Sequence, residues 1–530
     1  MTAPLSGLRP ERIAGVTLPL FAIRTRADWG IGEIGALPAC AAWVRSAGHR
    51  LLQILPPHEL ADGETSPYGA RTAFGLDPIY IAIGDVPDLT AADIAGALGP
   101  AGAATLARLR QAPRVEYHAV RALKRRALAR AFDQFVAREW IPGTARAGAL
   151  RNFVHRERYW APDLALYVAL RDQHGGYGWP TWPPAERDRA PEVVSRASVT
   201  DPPATLDELG RAVLRHQYLQ WMAHDQWDRA RVAMRELGVQ LMGDLPFVVG
   251  EESADVWARS GLFLRDVSLG APPDDFSKEG QDWGLPAYNW PAMDADDLGW
   301  IRARIRHAAR LYDRFRLDHV VGYFRMWVKA PGGAGRFEPA EEATQRDRGA
   351  RVLRAILGEA RGTAHVVAED LGLIPPFVRA ALLTLAIPGY RVIPWEREPA
   401  QDFRDPRAFP AVSVASFSTH DTKPFTTWWD DFAPGERQEL ARLAGFDPDA
   451  PAADRDLGLL GLLLSANSEL TLALSQEILG TGERINTPGT VTDVNWTYRL
   501  PRPLEDLETD PAVCARLASI RARTEAAHRV

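Results

Sequence analysis

Cysteine is almost missing from this 530-residue sequence: only Cys40 and Cys514 occur, far apart and without a metal ligand at short spacing. Two such residues build neither a disulfide framework nor a zinc knuckle, and they suit a reducing compartment. Long apolar runs are missing too. No stretch approaches the roughly 20 apolar residues of a membrane-spanning helix. The first residues, MTAPLSGLRPER, reach arginines and prolines before any apolar stretch. The chain therefore reads as cytoplasmic, with no membrane partner. Positive charge is not in excess: 62 Lys and Arg stand against 68 Asp and Glu, a formal net charge of -6. That balance offers no electropositive footprint for a polyphosphate backbone, so nucleic acid is excluded as a partner.

What is present is ordinary in bulk and unusual in detail. A hydrophobic fraction of 46% and a charged fraction of 25% belong to a soluble globular chain. The length would suggest several domains, but α/β barrels often exceed the usual domain size. Tryptophan stands out, with 17 residues against 6 Met. Many of these indoles neighbour Gly, Pro or Asp rather than apolar runs, where a flat ring can face a ligand.

Short apolar runs ending in polar residues recur at 12–23, 50–59, 77–83 (DPIYIAI), 239–247, 314–322, 365–372 and 413–422. They read as buried strands with chemistry at their C-terminal ends. Helical patterns at 206–238, 301–315 and 346–361 lie between them, an alternation that implies a parallel sheet with crossover helices. The expected fold is an α/β (β/α)8 TIM barrel forming one catalytic domain over 1–530. The Ala- and Arg-rich segment of about 85–205, including a helix over 118–140, reads as a helical insertion on the C-terminal rim. Thr205 is the expected N-cap where that insertion ends.

Gly30-Ile-Gly32-Glu-Ile-Gly35 matches a dinucleotide fingerprint in letters only. No strand immediately precedes it and no ribose-binding acid follows, so a loop leading into a helix is expected and no cofactor. The stronger signal is RLDHVVG, VVAEDLG and FSTHD, each setting a carboxylate where an apolar strand gives way to a loop. On a barrel that face collects catalytic groups. A single acid in such a place is more often a cap or an ion-pair partner. Three at three strand ends favour chemistry: Asp318, Glu369 and Asp421.

Retaining glycosyl transfer needs one ionised carboxylate as nucleophile and one protonated carboxyl as acid, about 5 to 5.5 Å apart. Arg316 lies two positions before Asp318, on the same face of a strand, where its guanidinium would hold Asp318 ionised. Glu369 can keep a proton if burial and neighbouring carboxylates raise its pKa. Asp421 would bind sugar hydroxyls and favour a distorted ring. His319 and His420 would be donors to the same sugar or satisfied neighbours of it. A divalent metal held by Asp318, His319, Glu369, Asp370, His420 and Asp421 is the alternative, but no close His-x-His pair or strand-end lysine supports it.

With RLDHVVG, VVAEDLG and FSTHDTKPFTTWW in that order, the chain resembles the 4-α-glucanotransferases (amylomaltases, or disproportionating enzymes) of the α-amylase clan. SPYGARTAFGLDPIYI (66–81), GDLPFVVGEESADVWA (243–258), PPDDFSKEGQDWGLPAYNW (272–290), GYRVIPWE (389–396) and ERINTPGTVTDVNW (483–496) also match. The resemblance implies a nucleophile at Asp318, a general acid/base at Glu369 and a transition-state stabiliser at Asp421. It further implies donor-sugar contacts at Tyr68, Asp244, Arg316, His319 and His420. Gln281 and Trp283 would lie on a loop over the acceptor region, and Asn495 and Trp496 at the site's edge. The substrates would be maltooligosaccharides and α-1,4-glucans, with no cofactor. Gly69, Asp275 and Leu285 depart from the family pattern and bear on subsite preference. A glucan hydrolase and a non-catalytic glucan-binding homologue are the competing readings, and the intact acid trio argues against the second.

Overall fold

The computed structural model describes residues 11–199, 206–273 and 280–529. Eight parallel strands close into a barrel: β1 Ile13–Thr17, β2 Leu51–Gln53, β3 Gln240–Leu245, β4 Arg314–Leu317, β5 His365–Ala368, β6 Gly389–Val392, β7 Ser413–Ser416 and β8 Leu470–Leu474. Each strand pairs with its neighbours in sequence, and β1 closes on β8 over five residue pairs, Ile13 with Leu470 through Thr17 with Leu474. This is the TIM barrel the alternation of strands and helices implied.

Strand periodicity sorts the side chains. Ile13, Leu51, Met242, Val367, Val414 and Leu470 form an apolar layer inside the barrel. The next inward positions are polar: Thr17, Gln53, Asp244, Arg316 and Ser416, all buried. Their outward neighbours, such as Leu241, Leu245, Phe315 and Leu317, join the larger core beneath the helices. The barrel is thus plugged at one end and polar at the other. Gly243 is required on β3, because a Cβ there would come within 2.4 Å of the Tyr312 ring.

Three sequence expectations need correction. Residues 77–83 are not a strand but two short 3-10 turns, Pro78–Tyr80 and Ile83–Asp85. Side chains rather than a neighbouring strand satisfy this backbone. Gln220 bonds both N and O of Leu76, Gln226 does so for Ala82, and Lys124 Nζ donates to the carbonyls of Ile79 and Ile81. The true strands β6 and β8 were not recognised as such. LTLAL of β8 follows the leucine-rich helix Ala452–Ser465 so closely that composition does not separate them. Gln281 and Trp283 lie on a strand, Gln281–Tyr288, not a loop. It pairs antiparallel with Phe263–Ala271 in a small sheet completed by Met326–Lys329 and Gly335–Glu338.

The helices over 206–238, 301–315 and 346–361 are observed as Glu208–Glu236, Gly299–Leu311 and Glu342–Ala360. Thr205 and Asp275 lie outside the described residues. Asp207 caps the long helix, accepting from Gly210 N at 2.9 Å. Between 91 and 197 the described chain is helical and supplies no barrel strand. The helix Tyr117–Phe135 runs on through a π turn, Val136–Trp140. Gly30 and Gly32 sit in a loop well after β1, and Gly35 in the 3-10 turn Ile34–Ala36 that leads into the helix Leu37–Ser46. A Cβ on Gly32 would overlap the Leu20 carbonyl oxygen at 1.8 Å, which accounts for glycine there. Cys40 is buried, Cys514 exposed, and neither is in a disulfide. Among the described residues no helix is long and apolar enough to cross a membrane.

Candidate active site

A pocket of about 280 Å³ opens at the C-terminal mouth of the barrel, lined by Asp318, Glu369 and Asp421 together with Arg316, His319, His420, Trp283 and the polar layer beneath. Arg316 is its hub. The buried guanidinium reaches Asp318 Oδ1 at 2.8 Å and both oxygens of Asp244 at 2.8 and 2.9 Å, and its other nitrogen lies 3.9 Å from Glu369 Oε2. Three carboxylates drawn from β3, β4 and β5 thus share one cation. Asp244 is fully buried and also accepts from Tyr68 Oη at 2.8 Å.

Glu369 is held by backbone donors. His319 N bonds Oε2 and Leu371 N bonds Oε1, each at 2.8 Å. The first requires an unusual backbone: His319 sits in the left-handed region, φ 47° and ψ 53°, a conformation kept in non-glycine residues where surroundings enforce it, often at active sites. Burial raises the Glu369 pKa and the Asp318 charge adds to this, while Arg316 and the two N–H donors oppose it, leaving it at about 7. Glu369 is therefore poised to carry a proton near neutrality.

Asp421 also lines the pocket, its side chain 40% exposed. Its Oδ1 accepts from Asn486 Nδ2 at 2.7 Å, and Oδ2 lies 3.2 Å from His420 Nε2. Burial alone would raise its pKa, but His420 and Asn486 outweigh that and hold it below the usual carboxylate range. His420 also contacts Tyr68 Oη at 3.0 Å and stacks on that ring. Burial opposes protonation of His420, yet the Asp421 charge raises its pKa overall. His319 behaves oppositely: burial lowers it to about 4, so it is neutral.

The outer wall is aromatic. Trp283 meets the His319 ring edge-on at 4.9 Å and donates to Gln281 Oε1 at 3.1 Å. Asn495 does not reach the pocket: its side chain bonds Thr487 and Thr490 and holds its own loop. Trp496 backs the site, its ring 5.8 Å from Tyr68 and 6.0 Å from His420. Asp370 points away from the three acids, bonded to Tyr390 N and to Arg391, so it is unavailable to a metal placed among them.

A family profile described as 4-alpha-glucanotransferase matches residues 18–505. The chain belongs to the 4-alpha-glucanotransferase family. It is 31% identical to the 4-alpha-glucanotransferase of Chlamydia caviae, over 97% of this chain and 95% of the relative. It is also 31% identical to that of Chlamydia pneumoniae, over 95% and 94%. An amylomaltase from Streptococcus agalactiae, solved in complex with acarbose, shares the fold with a TM-score of 0.81 at 23% identity, over 96% of this chain and 98% of that one.

Several residues in or behind the pocket of this 4-alpha-glucanotransferase family member carry no clear signal in the sequence. Asn486 and Arg484, which donates to the Asp421 carbonyl at 2.7 Å, come from the 483–496 motif, but nothing in that motif shows its partner to be Asp421. Thr17 Oγ1 bonds Gln53 Oε1 at 2.8 Å, and Gln53 Nε2 bonds Tyr390 Oη at 3.3 Å, a polar chain on the pocket floor. Its signal was present as polar residues at the ends of buried strands.

Proposed function

We propose that this enzyme is a 4-α-glucanotransferase that moves α-1,4-glucan segments between maltooligosaccharides by double displacement, with Asp318, Glu369 and Asp421 as its catalytic groups. The observation that carries the reading is the different holding of the two strand-end acids at the pocket beside Arg316: Asp318 is ion-paired at 2.8 Å, while Glu369, at 3.9 Å, has its pKa raised to about 7. In the first step the Asp318 carboxylate attacks the anomeric carbon. The bond to the glycosidic oxygen breaks, and Glu369 gives that oxygen its proton. In the second, the Glu369 carboxylate takes a proton from the 4-hydroxyl of an acceptor glucan, whose oxygen displaces Asp318. Asp421, held ionised, receives sugar hydroxyls and favours the oxocarbenium-like state.

Asp244, Arg316, Tyr68, His319 and His420 fit contacts to the donor sugar because they line or back one pocket. Trp283 and Gln281 fit the acceptor side. An indole beside the nucleophile can hold a sugar face and exclude water, which favours a sugar over water as acceptor. Asn495 supports the rim rather than touching sugar. We read 85–205 as a helical insertion within one catalytic domain, and the two free cysteines fit a cytoplasmic setting.

Incubation with maltotriose tests the activity. The expected outcome is glucose plus a ladder of longer chains with nearly constant total reducing ends. A steady rise in reducing ends without longer products would show hydrolysis instead.

A further inference from the structure

A second cavity, of about 490 Å³, lies away from the carboxylates, between the helices Tyr117–Phe135, Ala161–Gln173 and Glu208–Glu236 and the segment 59–79. Its lining differs in kind from that of the catalytic pocket. Among the described residues no Trp, Tyr or Phe lines it, and five Arg and Lys side chains, among them Arg71, Arg125 and Arg215, stand with three carboxylates. A neutral glucan would find no aromatic face here. Guanidinium donors instead match an oxyanion.

Arg71 decides which groups are available. Arg121 is spent on Asp77, at 2.9 and 2.6 Å, and Lys124 on the carbonyls of Ile79 and Ile81, while Arg125 at the mouth holds Asp62 at 2.5 Å in an exposed pair that a competing anion can open. The Arg71 side chain is only 8% exposed. Its Nε has no partner among the described residues, and its ion-pair partner Glu59 stays 3.7 Å from Nη1, beyond hydrogen-bond reach. Glu59 Oε2 already accepts from Gln220 Nε2 at 3.0 Å, with His216 Nε2 3.1 Å away. A buried guanidinium N–H without a hydrogen bond is costly, and an oxyanion in the cavity would satisfy it. At the mouth, Arg215 stands 3.8 Å from Asp172 with both side chains largely exposed, free to turn inward.

This cavity adjoins the catalytic pocket through the chain itself. Arg71 N donates to the Glu59 carbonyl at 2.8 Å, and Leu60 and Ala70 form a β-bridge. Tyr68, three residues before Arg71, is bonded to Asp244 and His420 in the catalytic pocket. A ligand held by Arg71 would therefore act on the segment that presents Tyr68.

We propose that this cavity binds a phosphate-bearing small molecule on Arg71, with Arg125 and Arg215 at its mouth, and that occupancy lowers the KM for glucan by ordering the Tyr68 segment. The KM effect rests on the reading of Tyr68 as a donor-sugar contact, whereas the binding does not. Calorimetry on the full-length protein with inorganic phosphate and with glucose 6-phosphate, at ionic strength matched by sodium chloride, tests it. Saturable binding of at least one ligand is expected at millimolar concentration. Arg71→Gln should weaken it about tenfold or more, as loss of a charge-assisted contact implies. Arg215→Ala, at an exposed position, should weaken it severalfold while leaving phosphate-free transfer unchanged, which keeps the test valid if Arg71→Gln fails to fold. Tighter binding of glucose 6-phosphate than of phosphate assigns the site to an ester, and the reverse assigns it to the free anion. Absence of saturable binding, or binding untouched by both variants, overturns the site. Binding with an unchanged maltotriose KM overturns the coupling. Loss of the transferase reading itself would show separately, in the phosphate-free maltotriose assay.

Discussion

In the proposed mechanism Glu369 must be protonated to release the first leaving group, and its pKa of about 7 reflects burial opposed by Arg316. Activity should therefore fall as pH rises through about 7, visible as the alkaline limb of kcat/KM for maltotriose. A profile flat to strongly alkaline pH would remove Glu369 from the acid role. Glu369→Gln should lower kcat by about 10²- to 10⁴-fold. The same shift has a stability consequence. A carboxyl whose folded pKa lies above its unfolded value loses stability as pH rises between the two, because the unfolded state ionises first. Glu369→Gln should accordingly melt higher than the parent at pH 8, with the difference vanishing near pH 4. Asn486 makes a second case. Its Nδ2 bond to Asp421, at 2.7 Å, helps hold that carboxylate below the usual range, so Asn486→Ala should raise the acid limb of the pH profile and cut kcat while maltotriose KM moves less. An unmoved acid limb would mean that His420 alone sets Asp421. The two residues were unequally legible. Glu369 follows a buried strand, where rigid side chains meet solvent, and the letters alone mark such a place. Asn486 lies in an irregular segment, and its partner is 65 positions earlier, a contact that only folding creates.

At the scale of elements, the strand ends were readable because inward apolar positions alternate with outward ones until the barrel mouth, where Asp244, Arg316 and Glu369 break the pattern. The segment 77–83 misled for a physical reason: it is apolar and buried as a strand would be, yet its hydrogen bonds run to side chains far along the chain. Lys124 is central to that arrangement. Fully buried, it donates to Ile79 O at 2.6 Å and Ile81 O at 2.8 Å and pairs with Glu33 Oε1 at 2.5 Å. Lys124→Met would orphan two carbonyls and leave Glu33 buried without its cation. Removing one partner of a buried pair is typically worth about 3 to 5 kcal/mol. The melting temperature should fall clearly for Lys124→Met, and Lys124→Met/Glu33→Gln should recover part of the loss. Equal melting of the single and double variants would show that the carbonyls, not the carboxylate, dominate. The barrel carboxylates are not in contact with Lys124, so kcat of the folded fraction should change little.

Across the whole molecule, the terminal segment after the barrel ties the helical region to the catalytic pocket. Arg499, its side chain fully buried, bonds both oxygens of Asp28 at 3.0 and 2.9 Å and the carbonyls of Leu109 and Ala112 at 2.9 and 3.0 Å. Asp28 in turn caps its own loop through the N–H groups of Thr25 and Gly30. A few residues earlier, Val115 N bonds Thr497 O, and Tyr117 Oη bonds Trp496 O at 2.8 Å. Three distant stretches thus converge beneath Trp496, the ring that backs Tyr68 and His420. No periodicity announces such a junction, since each stretch is irregular and its partners are hundreds of residues away. Arg499→Met should leave the Asp28 carboxylate buried and unpaired, lowering stability by about 3 to 5 kcal/mol. Because the junction fixes Trp496, the folded fraction should also show a higher KM for maltotriose with kcat reduced much less, the carboxylates themselves being untouched. Asp28→Asn/Arg499→Met separates the two consequences: removing both charges should restore part of the melting temperature, while KM stays raised because the carbonyls of Leu109 and Ala112 still lack their donor. If KM returned to the parent value with the melting temperature, Trp496 would be held by Tyr117 and Val115 alone and the junction would be structural only.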